Sequence, residues 1–327
     1  MQISLNFKSQ TCKALLAMSL AFIASSAIAW ADKPVKILVP SPAGGTMDVM
    51  ARILADQLAA DLGQPMVVEN RPGAGGGIAV QALRAAPADG QTLLVTASNV
   101  LTEIPHVMKS GFDPLKDVKL LGIMARTNLV MVGAPNLPAK DFQSFVAYAK
   151  KNPNNLSFAS YSTGTISHYA GMVLSQRLGL DLQHVPFQGS PPALVQVMGG
   201  QIPLMFDGFP TSRTLIASGK LQPYAVASKK RLSQLPDVPT LTELGYPELN
   251  FSNWLGVVVS PNLSPEVQEK IHTAVRNATL NPKMRGRMFA NGFEAAEDLN
   301  PKDLTQLVKT EFDRNALIVK QFNIQMN

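Results

Sequence analysis

The chain has 327 residues, of which 46% are hydrophobic and 16% charged, so it can bury one large or two medium-sized aliphatic cores. Its formal net charge of +6 comes from scattered basic residues, which argues against the clustered basic face of a nucleic-acid-binding protein.

The N-terminal segment has the pattern of a secretory signal. Lys8 and Lys13 precede the apolar run "ALLAMSLAFIASSAIA", and the pattern predicts a signal peptide over residues 1–29. An uncleaved membrane anchor is the alternative, but the apolar run is short for a membrane span. We therefore expect export with cleavage of this segment.

Two small-residue motifs place the cleavage site after Ala29 or after Ala31. Because Lys8 and Lys13 leave with the signal peptide, the charge of the mature chain falls from +6 to +4. The only cysteine, Cys12, leaves as well. The mature chain is then expected to contain no disulfide, no thiolate metal site and no cysteine nucleophile.

Strand patterns alternate with helix patterns along the rest of the chain. "VKILVP" precedes a helix predicted from Met47 to Leu62, and "PMVVEN" precedes a helix near Ile78 to Ala86. Single helices also follow "LSFASYSTGT" and "LQHVPF". Further strands are predicted at "IPLMFDGFP", "LQPYAVAS" and "NWLGVVVSP", and three helices close the chain. This alternation predicts an α/β protein with mainly parallel sheets.

Two segments indicate crossings between domains. "VGAPNLPAKD" is proline-rich, and "GYPELNFSNW" fits a return crossing. The sequence therefore predicts a discontinuous first domain, residues 32–130 plus 253–327, with a second domain, residues 131–252, inserted into it.

Two glycine-rich turns join a strand to a helix, in "VPSPAGGTMDVMAR" and in "VVENRPGAGGGIAV". Free N–H groups and the helix dipole make such a turn an anion site without any cationic side chain. The first turn lacks the lysine of a phosphate loop, and the second lacks the third glycine of a dinucleotide-binding fingerprint. The alternative is that the glycines only form tight turns.

In the first domain, Asp48 is a candidate to orient a ligand, although an acid at a helix start is often only a stabilising charge. Ser98 and Asn99 follow a predicted strand, and they too are either ligand-binding candidates or residues with only a structural role. Arg71 is expected to pair with Glu69 instead of binding ligand.

In the second domain, "SYSTGTISHYAG" places small polar residues ahead of His168. The helix dipole favours a neutral imidazole there, either as a hydrogen-bond donor or as a purely structural group. The four histidines do not have metal-ligand spacing, so no metal site is predicted.

Two further strand ends carry Gly189 and Ser190, and then Asp207 and Arg213. Asp207 is a ligand candidate or a local hydrogen-bond acceptor, whereas Arg213 is expected to be a surface charge. Trp254 is expected to pack in the core.

Six segments, taken in order, resemble the Bug family of periplasmic solute-binding proteins, the receptors of tripartite tricarboxylate transporters. These segments are "VPSPAGGTMDVMAR", "ENRPGAGGGIA", "NLSFASYSTGTISHYAG", "VPFQGSPPALVQVMGGQI", "MFDGFPTS" and "LPDVPTLTELGYP". The resemblance covers essentially the whole mature chain.

The resemblance implies a two-domain periplasmic-binding-protein-like fold, each domain a mainly parallel sheet flanked by helices, with a ligand cleft between them. It implies a monomer without cofactor that binds a dicarboxylate or tricarboxylate, an aromatic carboxylate or an acidic amino acid, mainly through backbone N–H groups. Its partners would be membrane components of a tripartite transporter or a sensor protein, and not nucleic acid. Together with the candidates above, the predicted ligand-binding residues are Ser41, Pro42, Ala43, Gly44, Asp48, Ser98, Asn99, Ser162, Thr163, Gly164, Thr165, His168, Gly189, Ser190 and Asp207.

The chain departs from the family at Ser41, where a bulky residue is common, at Arg213, and in the loop after "TAS". Ligand identity therefore stays open. Two other functions also stay open: an exported hydrolase that uses His168 with a nearby hydroxyl, and a purely structural or interaction module.

Overall fold

The computed structural model describes residues 30–31, 33–109, 111–153, 156–321 and 323–324. The predicted signal peptide, with Cys12 and the cleavage motif that ends at Ala29, lies outside the described residues. The strands are β1 Val35–Val39, β2 Met66–Asn70, β3 Thr92–Ala97, β4 Lys119–Gly133, β5 Ser157–Ser160, β6 Gln183–Pro186, β7 Leu204–Gly208, β8 Gln222–Ala227, β9 Ser252–Val259 and β10 Glu294–Ala295.

Most of the α-helices follow the strands as the alternating pattern predicts, whereas those at Ser98–Thr102 and Phe209–Ala217 were not predicted. The α-helices are α1 Thr46–Leu62, α2 Gly77–Ala85, α3 Ser98–Thr102, α4 Phe142–Lys151, α5 Ile166–Leu178, α6 Ser190–Met198, α7 Phe209–Ala217, α8 Pro265–Leu280, α9 Pro282–Ala290 and α10 Pro301–Gln321. The first two begin one residue before their predicted starts. In the described part of the chain, no helix has the length and apolarity that a membrane crossing requires.

One continuous sheet runs through the molecule in the order β2-β1-β3-β9-β4-β7-β5-β6, with β8 and β10 also paired to β4. The 15-residue strand β4 changes partners along its length. It pairs with β9 as far as Asn128, and with β7 and β8 from Leu129 onwards. We call the part built on β1–β3, β9, β10 and the first half of β4 lobe 1, and the part built on β5–β8 and the second half of β4 lobe 2.

Each lobe has a hydrophobic core on both faces of its sheet. In lobe 1, Ile37 packs on one face and Leu38 on the other, because alternate side chains of a strand point to opposite faces. In lobe 2, Met131 and Val130 alternate in the same way. The structure is therefore of the predicted α/β class.

The direction of the strands is more mixed than the sequence pattern suggested. β1, β2 and β3 are parallel, as are β5, β6 and β7, but β4 is antiparallel to β7, β8 and β9. Antiparallel pairs arise where the chain passes from one lobe to the other and back. Because the sheet is continuous through both lobes, the domain boundaries at 130/131 and 252/253 stay a proposal.

Candidate functional site

A cavity of about 340 Å³ lies between the lobes. Its wall comes from the turns that follow β1, β2 and β3 in lobe 1 and β5, β6 and β7 in lobe 2. These turns contribute residues from 40–47, 72–76, 97–100, 161–165 and 186–190, together with Gly208. Ligands of open α/β sheets bind at the carboxyl ends of parallel strands, which is where this cavity lies.

Six helices begin at this cavity. The residue that precedes each helix lines the wall, and in no case does its side chain form a hydrogen bond that caps the helix. These residues are Gly45, Gly76, Ala97, Thr165, Gly189 and Gly208. Thr165 is a good capping residue by type, but its hydroxyl donates to the carbonyl of Ser162 at 2.7 Å instead.

Helices that begin elsewhere carry the ordinary side-chain caps. Asp141 accepts a hydrogen bond from the Ser144 N–H at 2.7 Å at the start of α4, and Asn281 accepts from the Lys283 N–H at 2.9 Å at the start of α9. Ser264 caps α8 in the same manner. Capping side chains are thus missing where helices face the cavity, which leaves backbone N–H groups and the positive ends of the helix dipoles directed at it.

None of the side chains found along this wall is charged, as far as the described residues show. Asp48 lies behind the first turn and is 3% exposed. It accepts from the Gly44 N–H at 2.9 Å, from Asn70 Nδ2 at 3.0 Å, and pairs with Arg52 at 2.9 Å. Burial opposes its ionisation, but these hydrogen bonds and the Arg52 charge outweigh burial and hold its pKa below the usual value. Asp48 therefore holds the turn in place.

Asp207 has the corresponding position in lobe 2. It is fully buried and accepts from Ser190 Oγ at 2.6 Å and Thr211 Oγ1 at 2.5 Å. Burial raises its pKa to about 6, although both hydroxyls and the Gly208 N–H favour the ionised form. Asp207 thereby orients Ser190, which lines the cavity, without reaching the cavity itself.

His168 supports the turn that follows β5. Its Nδ1 accepts from the Gly164 N–H at 3.2 Å, so the neutral ring carries its proton on Nε2. The ring stacks on His184 with centroids 4.0 Å apart, and His184 Nε2 lies 2.7 Å from Ser160 Oγ. Burial and the neighbouring His184 lower the pKa of His168 to about 3, and burial lowers the pKa of His184 to about 4. A hydrolase would need His168 in the cavity, but it is not among the residues of its wall.

The predicted ligand-binding residues divide into two groups. The structure brings Ser41, Pro42, Asn99, Ser162, Thr163, Thr165, Gly189 and Ser190 to the cavity wall. It places outside the wall Ala43, Gly44, Asp48, Ser98, Gly164, His168 and Asp207. Ligand contact by the first group stays a prediction, and the second group supports the wall from behind or flanks it.

The expectations for two other side chains agree with the structure: Arg71 pairs with Glu69, and buried Trp254 donates its indole N–H to Glu311 at 2.7 Å. Arg213 differs from the expected surface charge. It lies outside the cavity wall, but its side chain is half-buried and its Nε is buried without a hydrogen-bond partner.

Several wall residues were not selected from the sequence. Thr46 and Gly76 belong to the two glycine-rich turns, so the turns themselves were the available signal. Tyr161 directly follows β5, and Asn253 precedes the apolar run of β9 within the predicted return crossing. A polar residue at that position was a second, unused signal.

The lobes touch each other at the edge of the cavity. A Cβ at Gly189, whose φ is +108°, would lie 2.5 Å from Pro42 Cγ, and a Cβ at Gly208 would lie 2.9 Å from Thr46 Oγ1. Only glycine permits such close approach at these two positions. The two glycines therefore let the two lobes meet around the cavity.

Two α/β lobes with a cavity between them, lined by helix starts without side-chain caps, are the architecture of solute-binding proteins. Consistent with this class, the model of the tripartite tricarboxylate transporter receptor family matches residues 50–324, and the chain belongs to this family. The family is one of solute-binding receptors, which in general are not enzymes.

Three solved structures show the similarity. The periplasmic binding protein BugD is 31% identical, with a TM-score of 0.85 over 91% of this chain and 100% of its own. Rpa4515 of R. palustris with adipate is 27% identical, with a TM-score of 0.87 over 91% and 99% of the two chains. MatC (Rpa3494) of Rhodopseudomonas palustris with bound malate is 29% identical, with a TM-score of 0.81 over 88% and 99%.

Proposed function

We propose that this protein is a periplasmic receptor that captures a small organic carboxylate between its lobes and delivers it to a tripartite tricarboxylate-type transporter. One observation carries the proposal: six helix starts without side-chain caps meet at a single cavity between the lobes. Backbone N–H groups arranged in this way bind carboxylates without a cationic side chain.

Two relatives support the ligand class, since one was solved with adipate and the other with malate, both dicarboxylates. A cavity of about 340 Å³ suits a molecule of this size. Binding across the cleft would draw the lobes together, as in hinge-closing receptors. Export through a cleaved signal peptide and action as a monomer are parts of the same proposal.

The hydrolase alternative has no comparable support. The base that it would use, His168, is 2% exposed and is held by Gly164 and His184 behind the cavity. We therefore propose that the protein binds its ligand without chemical change.

The test is isothermal titration calorimetry on protein that has been unfolded and refolded to remove retained ligand. The panel contains monocarboxylates, dicarboxylates, tricarboxylates and acidic amino acids. We expect at least one carboxylate to bind, and binding to none of them would contradict the proposal.

A pair of variants at Thr46 tests the role of the backbone. Thr46 is the first residue of α1 and the preceding Gly45 is extended, so proline fits there and removes only an N–H that has no partner within the helix. Thr46→Ala is the matched control because it removes the side chain and keeps the N–H. A hydrogen bond to a charged group contributes about 1.5–3 kcal/mol, so Thr46→Pro should bind the best carboxylate about 10- to 100-fold more weakly than Thr46→Ala. Equal affinities would contradict recognition by this N–H.

A further inference from the structure

Asn253 lies on the cavity wall at the start of β9, where the chain returns from lobe 2 to lobe 1. Its Oδ1 accepts a hydrogen bond from Ser98 Oγ at 2.7 Å, and its Nδ2 lies 3.5 Å from Tyr161 Oη. A distance of 2.7 Å is typical of an O–H···O bond and is short for an N–H···O bond. The buried Ser98 hydroxyl therefore fixes the amide with its oxygen turned away from the cavity and its nitrogen turned towards Tyr161.

The fixed amide presents only donor capacity to the cavity. Nδ2 carries two hydrogens, and the contact with Tyr161 is at the long limit of a hydrogen bond, so donor capacity remains for a ligand. Burial raises the pKa of Tyr161, which keeps its phenol protonated and able to donate as well. A ligand oxygen fits this position, whereas an ammonium group would face another donor.

An ammonium group also has no anionic partner on the wall within the described residues. The two nearby acids are both directed elsewhere. Asp48 is occupied by Gly44, Arg52 and Asn70. The fully buried Asp207 accepts from hydroxyl groups behind the wall. A buried cation without a partner is strongly disfavoured.

We propose that Asn253, fixed by Ser98, is a specificity-determining residue that accepts ligands with an oxygen at this position and rejects those with an ammonium group. The physiological ligand would then be a carboxylate without a free amino group, which removes acidic amino acids from the candidate ligands. This inference rests on the proposed function and narrows it.

Malate and aspartate provide the test, because they differ only by a hydroxyl or an ammonium group on the same carbon. Adipate and 2-aminoadipate form a second pair of similar design. We expect titration calorimetry on refolded wild-type protein to show the amino compound of a pair binding at least about 10-fold more weakly. If no carboxylate binds, the proposed function fails; if aspartate binds as tightly as malate, only this inference fails.

Asn253→Asp keeps the acceptor for Ser98 and places a carboxylate oxygen at the cavity. This variant should bind malate more weakly than wild type does. Its ratio of malate affinity to aspartate affinity should fall by about 10-fold or more, which narrows or reverses the preference for malate. Asn250→Asp adds the same charge three residues away, outside the wall, and should leave the preference unchanged. A proportional loss of both ligands in Asn253→Asp would overturn the inference.

Ser98→Ala gives an independent measurement that does not alter the cavity wall. Ser98→Ala keeps the Asn253 amide but removes the hydroxyl that holds its oxygen, so this oxygen can turn towards the ligand. The preference for malate over aspartate should then narrow, while malate itself still binds. Thermal unfolding midpoints close to wild type would show that both variants fold. A Ser98→Ala variant with the full wild-type preference would contradict the role of Ser98 in positioning Asn253.

Discussion

Gly208→Ala is predicted to weaken ligand binding while leaving the ligand-free protein intact. The backbone at Gly208 is extended, with φ −63° and ψ 129°, so alanine adopts it without strain. The new methyl group would lie 2.9 Å from Thr46 Oγ1 in the opposite lobe, and its other neighbours are at ordinary distances of 3.8 and 3.9 Å. The conflict therefore arises only across the cavity.

The expected size of the effect follows from the cost of overpacking. An extra methylene in a packed contact costs about 1–3 kcal/mol, which corresponds to a dissociation constant raised about 5- to 150-fold. The free protein can avoid this cost by separating its lobes slightly. Since alanine also restricts the unfolded chain, the free energy of unfolding without ligand should be unchanged or rise by about 0.4–1 kcal/mol.

The assay combines titration with the carboxylate that wild type binds best and urea unfolding without ligand. Gly286→Ala is the matched control, because a Cβ there has no neighbour within 4 Å, and its affinity for that carboxylate should equal that of wild type. In the double variant with Thr46→Ala, loss of the hydroxyl removes the conflict and should restore much of the affinity. Wild-type affinity in Gly208→Ala, or no recovery in the double variant, would refute contact between the lobes at this point.

Two further predictions concern buried groups away from the cavity. Burial raises the pKa of Glu103 to about 8. Between pH 4.5 and 8 the native state therefore keeps a proton on Glu103 that the unfolded state has lost. Because the native state binds more protons in this range, the free energy of unfolding of wild type falls as the pH rises. Relative to wild type, the free energy of unfolding of Glu103→Gln should therefore increase with pH, by up to about 1.4 kcal/mol per pH unit. Urea unfolding of both proteins at pH 5 and pH 8 measures this. The same difference between variant and wild type at both pH values would contradict the prediction. Trp30 packs in the lobe 1 core and donates its indole N–H to the Gly90 carbonyl at 3.0 Å, so we expect cleavage after Ala29, which keeps it. The intact mass of the exported protein should match a chain that begins at Trp30, whereas the mass of a chain that begins at Asp32 would show cleavage after Ala31.

Strand and helix patterns predicted most of the architecture because they depend on local periodicity. The helix that follows β1 was predicted from Met47 to Leu62 and extends from Thr46 to Leu62, ended by Gly63 in the left-handed conformation as expected. The antiparallel position of β4 was not predicted, because strand direction depends on long-range pairing that local patterns do not encode. The glycine-rich turns could be identified from the sequence because a turn, like a helix, depends on residues that are close together in the chain.

The candidate site was harder to predict from side-chain chemistry. His168 and Asp207 were selected as ligand-binding candidates because of their polar side chains. Both are buried behind the wall and position other groups. Asn253 could have been selected as a polar residue at the return crossing, but its hydrogen bond with Ser98, 155 positions away along the chain, could not have been predicted. No sequence pattern reveals a pairing over that separation.

Under the proposed function, the cavity would recognise its ligand with two kinds of group. Backbone N–H groups at the helix starts depend on the turns and not on any particular side chain, so they suit the carboxylate that all ligands of such a receptor would share. The rest of the ligand would be left to side chains such as Asn253, Ile104 and Met108, which line the wall. Because the carboxylate interaction does not use these side chains, substitutions among them can change the preferred ligand while carboxylate binding is retained. Such a division is consistent with adipate in one relative and malate in another, and under the proposed function it would place the specificity of this chain in wall residues that sequence motifs do not mark.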